Sequence, residues 1–185
     1  MKTLIINGSP RKNGDTTALI DELIRHLEGE VKVISCHDDI SPCIDCRYCW
    51  KNDGCAVQDD MQAVYDYITD CDNIVLASPI WFSSLSGPAL NLGSRFQRYF
   101  TARFFRKQPA PLKPKKGLLI FVGGQPGTEE IPAQNAVTIL RNANVVKSEI
   151  SIVSSMLTDK IPAKDDVQAH ENLRSEAQRL NTPIA

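Results

Sequence analysis

The chain has no run approaching the ~20 consecutive apolar residues of a membrane span, which predicts a protein that does not cross a membrane. Its amino terminus, MKTLIING, carries one lysine and a short apolar run but no small-residue cleavage site, so a cytoplasmic protein is expected. Charge of one sign is missing as well: 21 Lys and Arg against 22 Asp and Glu leave a net charge of −1. No general field therefore draws the chain to nucleic acid or anionic lipid. There is no internal repeat, linker or low-complexity tract, and residues 1–185 read as one domain. Only 3 histidines are present, and no Ser-His-Asp set or carboxylate pair stands out. Two nucleotide loops are also lacking: no Gly-x-x-x-x-Gly-Lys-Ser/Thr can be written, and no Gly-x-Gly-x-x-Gly follows the first strand.

What is there alternates. Apolar runs at residues 2–7, 31–35, 73–77, 117–122 and 145–153 read as strands. Between and after them, residues 16–27, 59–69, 87–105, 131–142 and 165–180 read as helices. Strands that are apolar throughout imply a parallel sheet covered on both faces. The expected fold is α/β, a doubly wound five-stranded parallel sheet of order 2-1-3-4-5 with a cysteine-rich insertion at about 36–58. Such sheets bind ligands outside the strand carboxyl ends where the order reverses, which directs attention to the loops after the first, third and fourth strands. A signalling receiver domain shares the architecture. It needs an acceptor aspartate after the third strand and acids after the first, where Ser78 and Asn7 stand.

The first of these loops is Asn7-Gly8-Ser9-Pro10-Arg11-Lys12-Asn13-Gly14-Asp15-Thr16-Thr17. Small residues at a helix start leave backbone N–H groups free for an anion, Ser9, Thr16 and Thr17 add hydroxyls, and Arg11 adds positive charge. A phosphate monoester is the natural occupant; a plain turn with an Asp15 or Thr16 helix cap is the alternative. The third strand then ends in Pro79-Ile80-Trp81-Phe82-Ser83, with two large aromatics among small residues. Flat apolar side chains at a switch point either plug the sheet end as core or cover a flat apolar ligand. Gly123 and Gly124 close the fourth strand, either for close backbone approach or as a simple turn.

Cys43, Cys46, Cys49 and Cys55 spell C-x2-C-x2-C-x5-C. Successive short gaps suit a ferredoxin-type [4Fe-4S] cluster better than the separated knuckles of a zinc ribbon; zinc and free or redox-sensitive thiols remain open. Cys36 and Cys71 read as small buried hydrophobes, and His26 and His170 as solvated helix residues. Leu90, Phe96, Tyr99, Phe100, Phe104 and Phe105 share the third expected helix and its end with Arg95, Arg98, Arg103 and Arg106. That stripe reads as a subunit interface, with the arginines meeting a partner's carboxylates or a cofactor phosphate; a snorkelling helix in a monomer is the alternative.

GSPRKNGDTTAL and SPIWFSSLSGP resemble the flavin loops of the NADPH-dependent FMN reductase and iron–sulfur flavoprotein families of the flavodoxin superfamily. The resemblance implies a flavodoxin-like fold, FMN phosphate held by Ser9, Arg11, Asn13, Thr16 and Thr17, and ribityl and ring along Pro79, Ile80, Trp81, Phe82, Ser83, Gly123 and Gly124. It implies electrons from NAD(P)H passed to a quinone, flavin or other small acceptor, in a homodimer or homotetramer. The four-cysteine spacing is similar to that of the iron–sulfur flavoproteins. That likeness implies the second expectation, an electron carrier between ferredoxin, a [4Fe-4S] cluster and FMN.

Overall fold

The computed structural model describes residues 1–184. Strands β1 (Lys2–Asn7), β2 (Glu30–Ser35), β3 (Asn73–Trp81), β5 (Lys115–Val122) and β6 (Val145–Ser155) form a parallel sheet in the order β2-β1-β3-β5-β6. A two-residue strand, β4 (Ser84–Leu85), folds back antiparallel on the end of β3. Counting the parallel strands alone gives the expected 2-1-3-4-5 order. No helix among the described residues is long and apolar enough to cross a membrane.

Alternation along each strand sends successive side chains to opposite faces. Ile5, Val75, Leu118 and Ile120 pack under α1 (Asp15–Ile24) and α7 (Val167–Leu180). Leu4, Ile6, Ile74, Leu76, Leu119 and Phe121 face the other side. There they meet α3 (Met61–Asp70), α4 (Gly87–Ser94), α5 (Gln97–Phe104) and α6 (Glu130–Asn142). A short helix, α2 (Tyr48–Lys51), lies in the cysteine-rich insertion, and a single 3-10 turn, Ala163–Asp165, precedes α7.

Two expected elements differ. The helix expected over 87–105 is two helices, because the chain tightens at Gly93-Ser94 into bonds that span three residues: the Arg95 N–H donates to the Leu92 carbonyl and the Phe96 N–H to the Gly93 carbonyl. Kinks favour such Gly/Ser pairs, and a Cβ on Gly93 would stand 2.8 Å from Ile139 Cδ1 of α6. The third strand continues past Ala77 to Trp81 and turns through Phe82-Ser83, both with positive φ (50° and 54°), into β4.

Candidate functional site

The carboxyl ends of β1, β3 and β5 open on a cavity of about 180 Å³. It is lined by Ser9, Arg11, Thr16, Pro79, Ile80, Trp81, Gly123 and Gly124 among the expected residues. Pro10, Gly14, Asp15, Val122 and Thr158 line it too. Thr158 follows the last strand, so the loop after β6 joins those after β1, β3 and β5 at the cavity. Asp15 places a carboxylate near a site read as anionic, but its Oδ1 accepts the Ala163 N–H at 2.9 Å and is tied to that neighbouring turn.

The loop after β1 is built from its own side chains. Asn7 Oδ1 accepts the Ser9 N–H (2.9 Å), Ser9 Oγ accepts the Arg11 N–H (3.2 Å), and the hydroxyls of Ser9 and Thr17 both reach the Arg11 carbonyl. These hydroxyls shape the loop rather than point freely at a ligand, and Asn13 is exposed on its outer side. What the loop leaves over is backbone. No side chain caps α1 at Gly14. The N–H groups of Asp15, Thr16 and Thr17 in its first turn find no acceptor among the described residues. An uncapped first turn beside a cavity is an anion site, since it carries free donors and the positive end of the helix dipole.

Gly8 lets this loop sit against α4. Its own N–H donates to the Ala77 carbonyl (2.8 Å), and its carbonyl accepts from Ser86 Oγ (2.6 Å). Ser86 also caps α4 by accepting the Ala89 N–H, and its N–H donates to Ser78 Oγ at 3.0 Å. Ser78 and Ser86, both wholly buried, thus lock the β1 loop to the β3 loop. Trp81 is 45% exposed at the cavity and Phe82 is fully exposed, which excludes the reading of the pair as core plugs. Phe82 and Ser83 form the hairpin turn and do not line the cavity. Gly123 is where the wall comes closest: a Cβ there would meet Met156 Cε at 2.8 Å and push the end of that flexible side chain aside.

The four cysteines of the insertion, Cys43, Cys46, Cys49 and Cys55, all line one small mouth together with Arg95 and Arg98. No three His, Cys, Asp or Glu side chains converge on one ion among the described residues. The segment is held by the helices expected to face a partner. Arg106 Nη1 donates to the Cys49 and Asn52 carbonyls (2.7 and 2.8 Å), Thr101 Oγ1 donates to the Cys49 carbonyl (3.1 Å), and Trp50 stacks on Phe105 at 4.1 Å. Arg95, Arg98 and Arg106 are engaged inside the chain rather than presented to a second subunit or a cofactor phosphate. Phe96 and Tyr99 are core, while Leu90, Phe104 and Phe105 stay exposed. Cys71 is wholly buried, and burial pushes its thiol up to about 11. Cys36 is only half-buried, its Sγ donating to the Ser9 carbonyl at 3.4 Å.

The family model for NADPH-dependent FMN reductases matches residues 1–156, which span the β1, β3 and β5 loops. The chain belongs to this family. Among curated relatives, an iron–sulfur flavoprotein of Archaeoglobus fulgidus is 32% identical over 140 residues, 72% of this chain and 68% of that protein. An iron–sulfur flavoprotein of Methanocaldococcus jannaschii is 37% identical over 90 residues, 46% of this chain but only 47% of its own length. Solved structures give the same fold. An FMN-dependent NADH-azoreductase from Bacillus anthracis, 16% identical, superposes with a TM-score of 0.66 over 98% of this chain and 100% of that one. An NAD(P)H:quinone oxidoreductase from Methanothermobacter marburgensis, 13% identical, does so at 0.65 over 100% and 98%.

Proposed function

We propose that residues 1–185 form a single FMN-binding domain that takes electrons from NAD(P)H and passes them to a quinone, a free flavin or another small acceptor. The observation that carries this reading is the uncapped first turn of α1 opening, with Arg11, on the same cavity as Trp81, Gly123 and Gly124. Bound there, a flavin supplies hydride acceptance and delivery of electrons singly or in pairs. The chain does the remainder. The N–H groups of Asp15, Thr16 and Thr17, with the Arg11 guanidinium, hold the phosphate dianion. Trp81, Pro79 and Ile80 cover apolar surface, and the two glycines keep side chains out of the opposite wall. Exposed Leu90, Phe104 and Phe105 suit a second copy of the chain, as a homodimer or homotetramer, in the cytoplasm.

A second reading is favoured by the cysteine segment: an iron–sulfur flavoprotein in which a [4Fe-4S] cluster on Cys43, Cys46, Cys49 and Cys55 connects ferredoxin with FMN. The donor set fits in number and kind. The four cysteines line one mouth, and their short successive gaps suit a cluster in which each iron carries one thiolate better than the separated knuckles of a zinc ribbon.

Both readings are tested on anaerobically purified protein. FMN is expected to bind at micromolar concentration or tighter and riboflavin, which lacks the phosphate, far more weakly. Arg11→Ala should weaken FMN about tenfold or more, through loss of a charge-assisted bond, and leave riboflavin unchanged. Failure of the wild type to bind FMN overturns the first reading. Bleaching by NADPH or NADH without ferredoxin favours the enzyme; bleaching by reduced ferredoxin alone, with iron and acid-labile sulfide present, favours the carrier.

A further inference from the structure

Arg95 has a side chain only 1% exposed, at the kink between α4 and α5, where neither sheet packing nor the flavin cavity calls for a cation. Its donors converge on the cysteine segment. Nη1 donates to the Ser41 carbonyl at 2.8 Å and to Asp59 Oδ2, while Nη2 donates to Asp59 Oδ1 at 3.1 Å, to the Val57 carbonyl at 3.5 Å and to Cys55 Sγ at 3.6 Å. Nε is steered by the Tyr65 hydroxyl at 3.3 Å. Ser41 precedes Cys43 and Val57 follows Cys55, so one guanidinium grips both ends of the ligand-bearing stretch. Burial resists ionisation of Asp59, but hydrogen bonds from Arg95 and from the N–H groups of Ser41 and Met61 hold its carboxyl below the usual range, and the pair stays charged.

We propose that Arg95 is the positioning residue of the iron–sulfur site, clasping residues 41–59 around their four cysteines and keeping an N–H donor on the sulfur of Cys55. The inference rests on the reading of those cysteines as cluster ligands. Without a clasp, each cluster insertion has to order a long loop, and the entropy of that ordering weakens binding. With it, the ligands are gathered beforehand. The other grips on the segment act on backbone, as Ser94 Oγ accepting the Cys43 N–H (2.9 Å) and Thr101 and Arg106 at the Cys49 carbonyl, or on side chains other than the cysteines, as Arg106 on Asp53 and Phe105 on Trp50. Arg95 is the one charged side chain that hydrogen-bonds a ligand sulfur among the described residues. A cationic donor at that sulfur stabilises the more negative, reduced cluster and so raises its potential.

The test compares the full-length wild type with Arg95→Lys, which keeps the charge and loses the fork. Iron, acid-labile sulfide and FMN per chain are measured after anaerobic reconstitution, with the rate of iron release to a chelator and the cluster's midpoint potential. The expected result is unchanged FMN, iron release faster by about tenfold or more, and a midpoint potential shifted downward. A wild type that takes up FMN but no iron and sulfide removes the cluster reading itself. A wild type with a cluster whose release rate and potential are matched by Arg95→Lys overturns the role of Arg95 alone. Should Arg95→Lys fail to take up FMN, Tyr65→Phe, which removes only the hydroxyl steering Nε, is read by the same measurements. The same directions are expected of it, and wild-type values overturn the proposal.

Discussion

A Cβ on Gly8 would stand 2.4 Å from Ala89 Cβ and 3.1 Å from the Ala77 carbonyl, so neither the α4 backbone side nor the β3 side can yield cheaply. Gly8→Ala therefore has to push the β1 loop away from Ser86, which now donates to the Gly8 carbonyl. Overpacking of this kind costs about 1–3 kcal/mol. The displaced loop also carries the first turn of α1, so FMN affinity should fall along with stability. Thermal unfolding of apoprotein and an FMN titration check the two effects together; a variant that melts normally and binds FMN normally contradicts the packing argument. Gly124 offers the contrast. A Cβ there meets Asp159 only at ordinary contact distance, 3.5 Å, and Gly124→Ala should leave the apoprotein's melting temperature unchanged.

At the scale of elements, the turn between β3 and β4 is built against preference. A two-residue hairpin with positive φ at both positions favours Asn-Gly, yet Phe82 and Ser83 occupy it. Left-handed conformation costs about 1–2 kcal/mol per ordinary residue. Replacing Phe82-Ser83 with Asn-Gly should stabilise the protein by about 1 kcal/mol, seen as a melting temperature higher by about 2–4 °C. An unchanged or lower melting temperature would show that Phe82 makes up the strain elsewhere. This turn carries no local mark: SPIWFSS has no glycine or asparagine, and Pro79 argues against a continuing strand. The apolar runs LIIN, NIVLA and GLLIFV, in contrast, announce buried parallel strands directly. The α4–α5 kink has a local signal in Gly93-Ser94, but the close approach of Ile139 that keeps residue 93 a glycine comes from more than forty residues away. Likewise the phosphate loop is legible because it is local, whereas the engagement of Arg95, Arg98 and Arg106 with the cysteine segment is a tertiary arrangement. Spacing in the sequence places them on one expected helix and its end, and only the packing of residues 41–59 shows what they hold.

Across the whole molecule the two faces of the sheet are secured differently. The face carrying α3 to α6 has charged clasps around an inserted loop, while the face carrying α1 and α7 has one buried acid at its seam. Glu22 of α1, its side chain 5% exposed, meets His26 Nε2 at 3.1 Å and Arg25 in the turn that ends its own helix, and Arg174 at 3.3 Å and His170 Nδ1 at 3.9 Å on α7. His26 and His170 are thus gathered at a helix seam, which no spacing within either helix reveals. Burial opposes the charge on Glu22, but the hydrogen bonds from His26, Arg174 and Arg25 and the field of His170 overcome it and lower the carboxyl to about 2. A folded-state value below the ordinary 4.5 means that the ionised form favours the native state. Its contribution is complete above the unfolded value and is lost as pH falls from about 4.5 through about 2. The span corresponds to on the order of 3 kcal/mol. Asp59 and Asp72, also held low, titrate toward the same acid limit, so the informative quantity is a difference between proteins. Glu22→Gln should be less stable than wild type near neutral pH, and the gap should close on acidification as wild-type Glu22 takes up its proton. Urea unfolding at pH 6, 4.5 and 3 measures that gap; a gap that stays constant across the series would mean that α1 and α7 are joined by apolar packing alone.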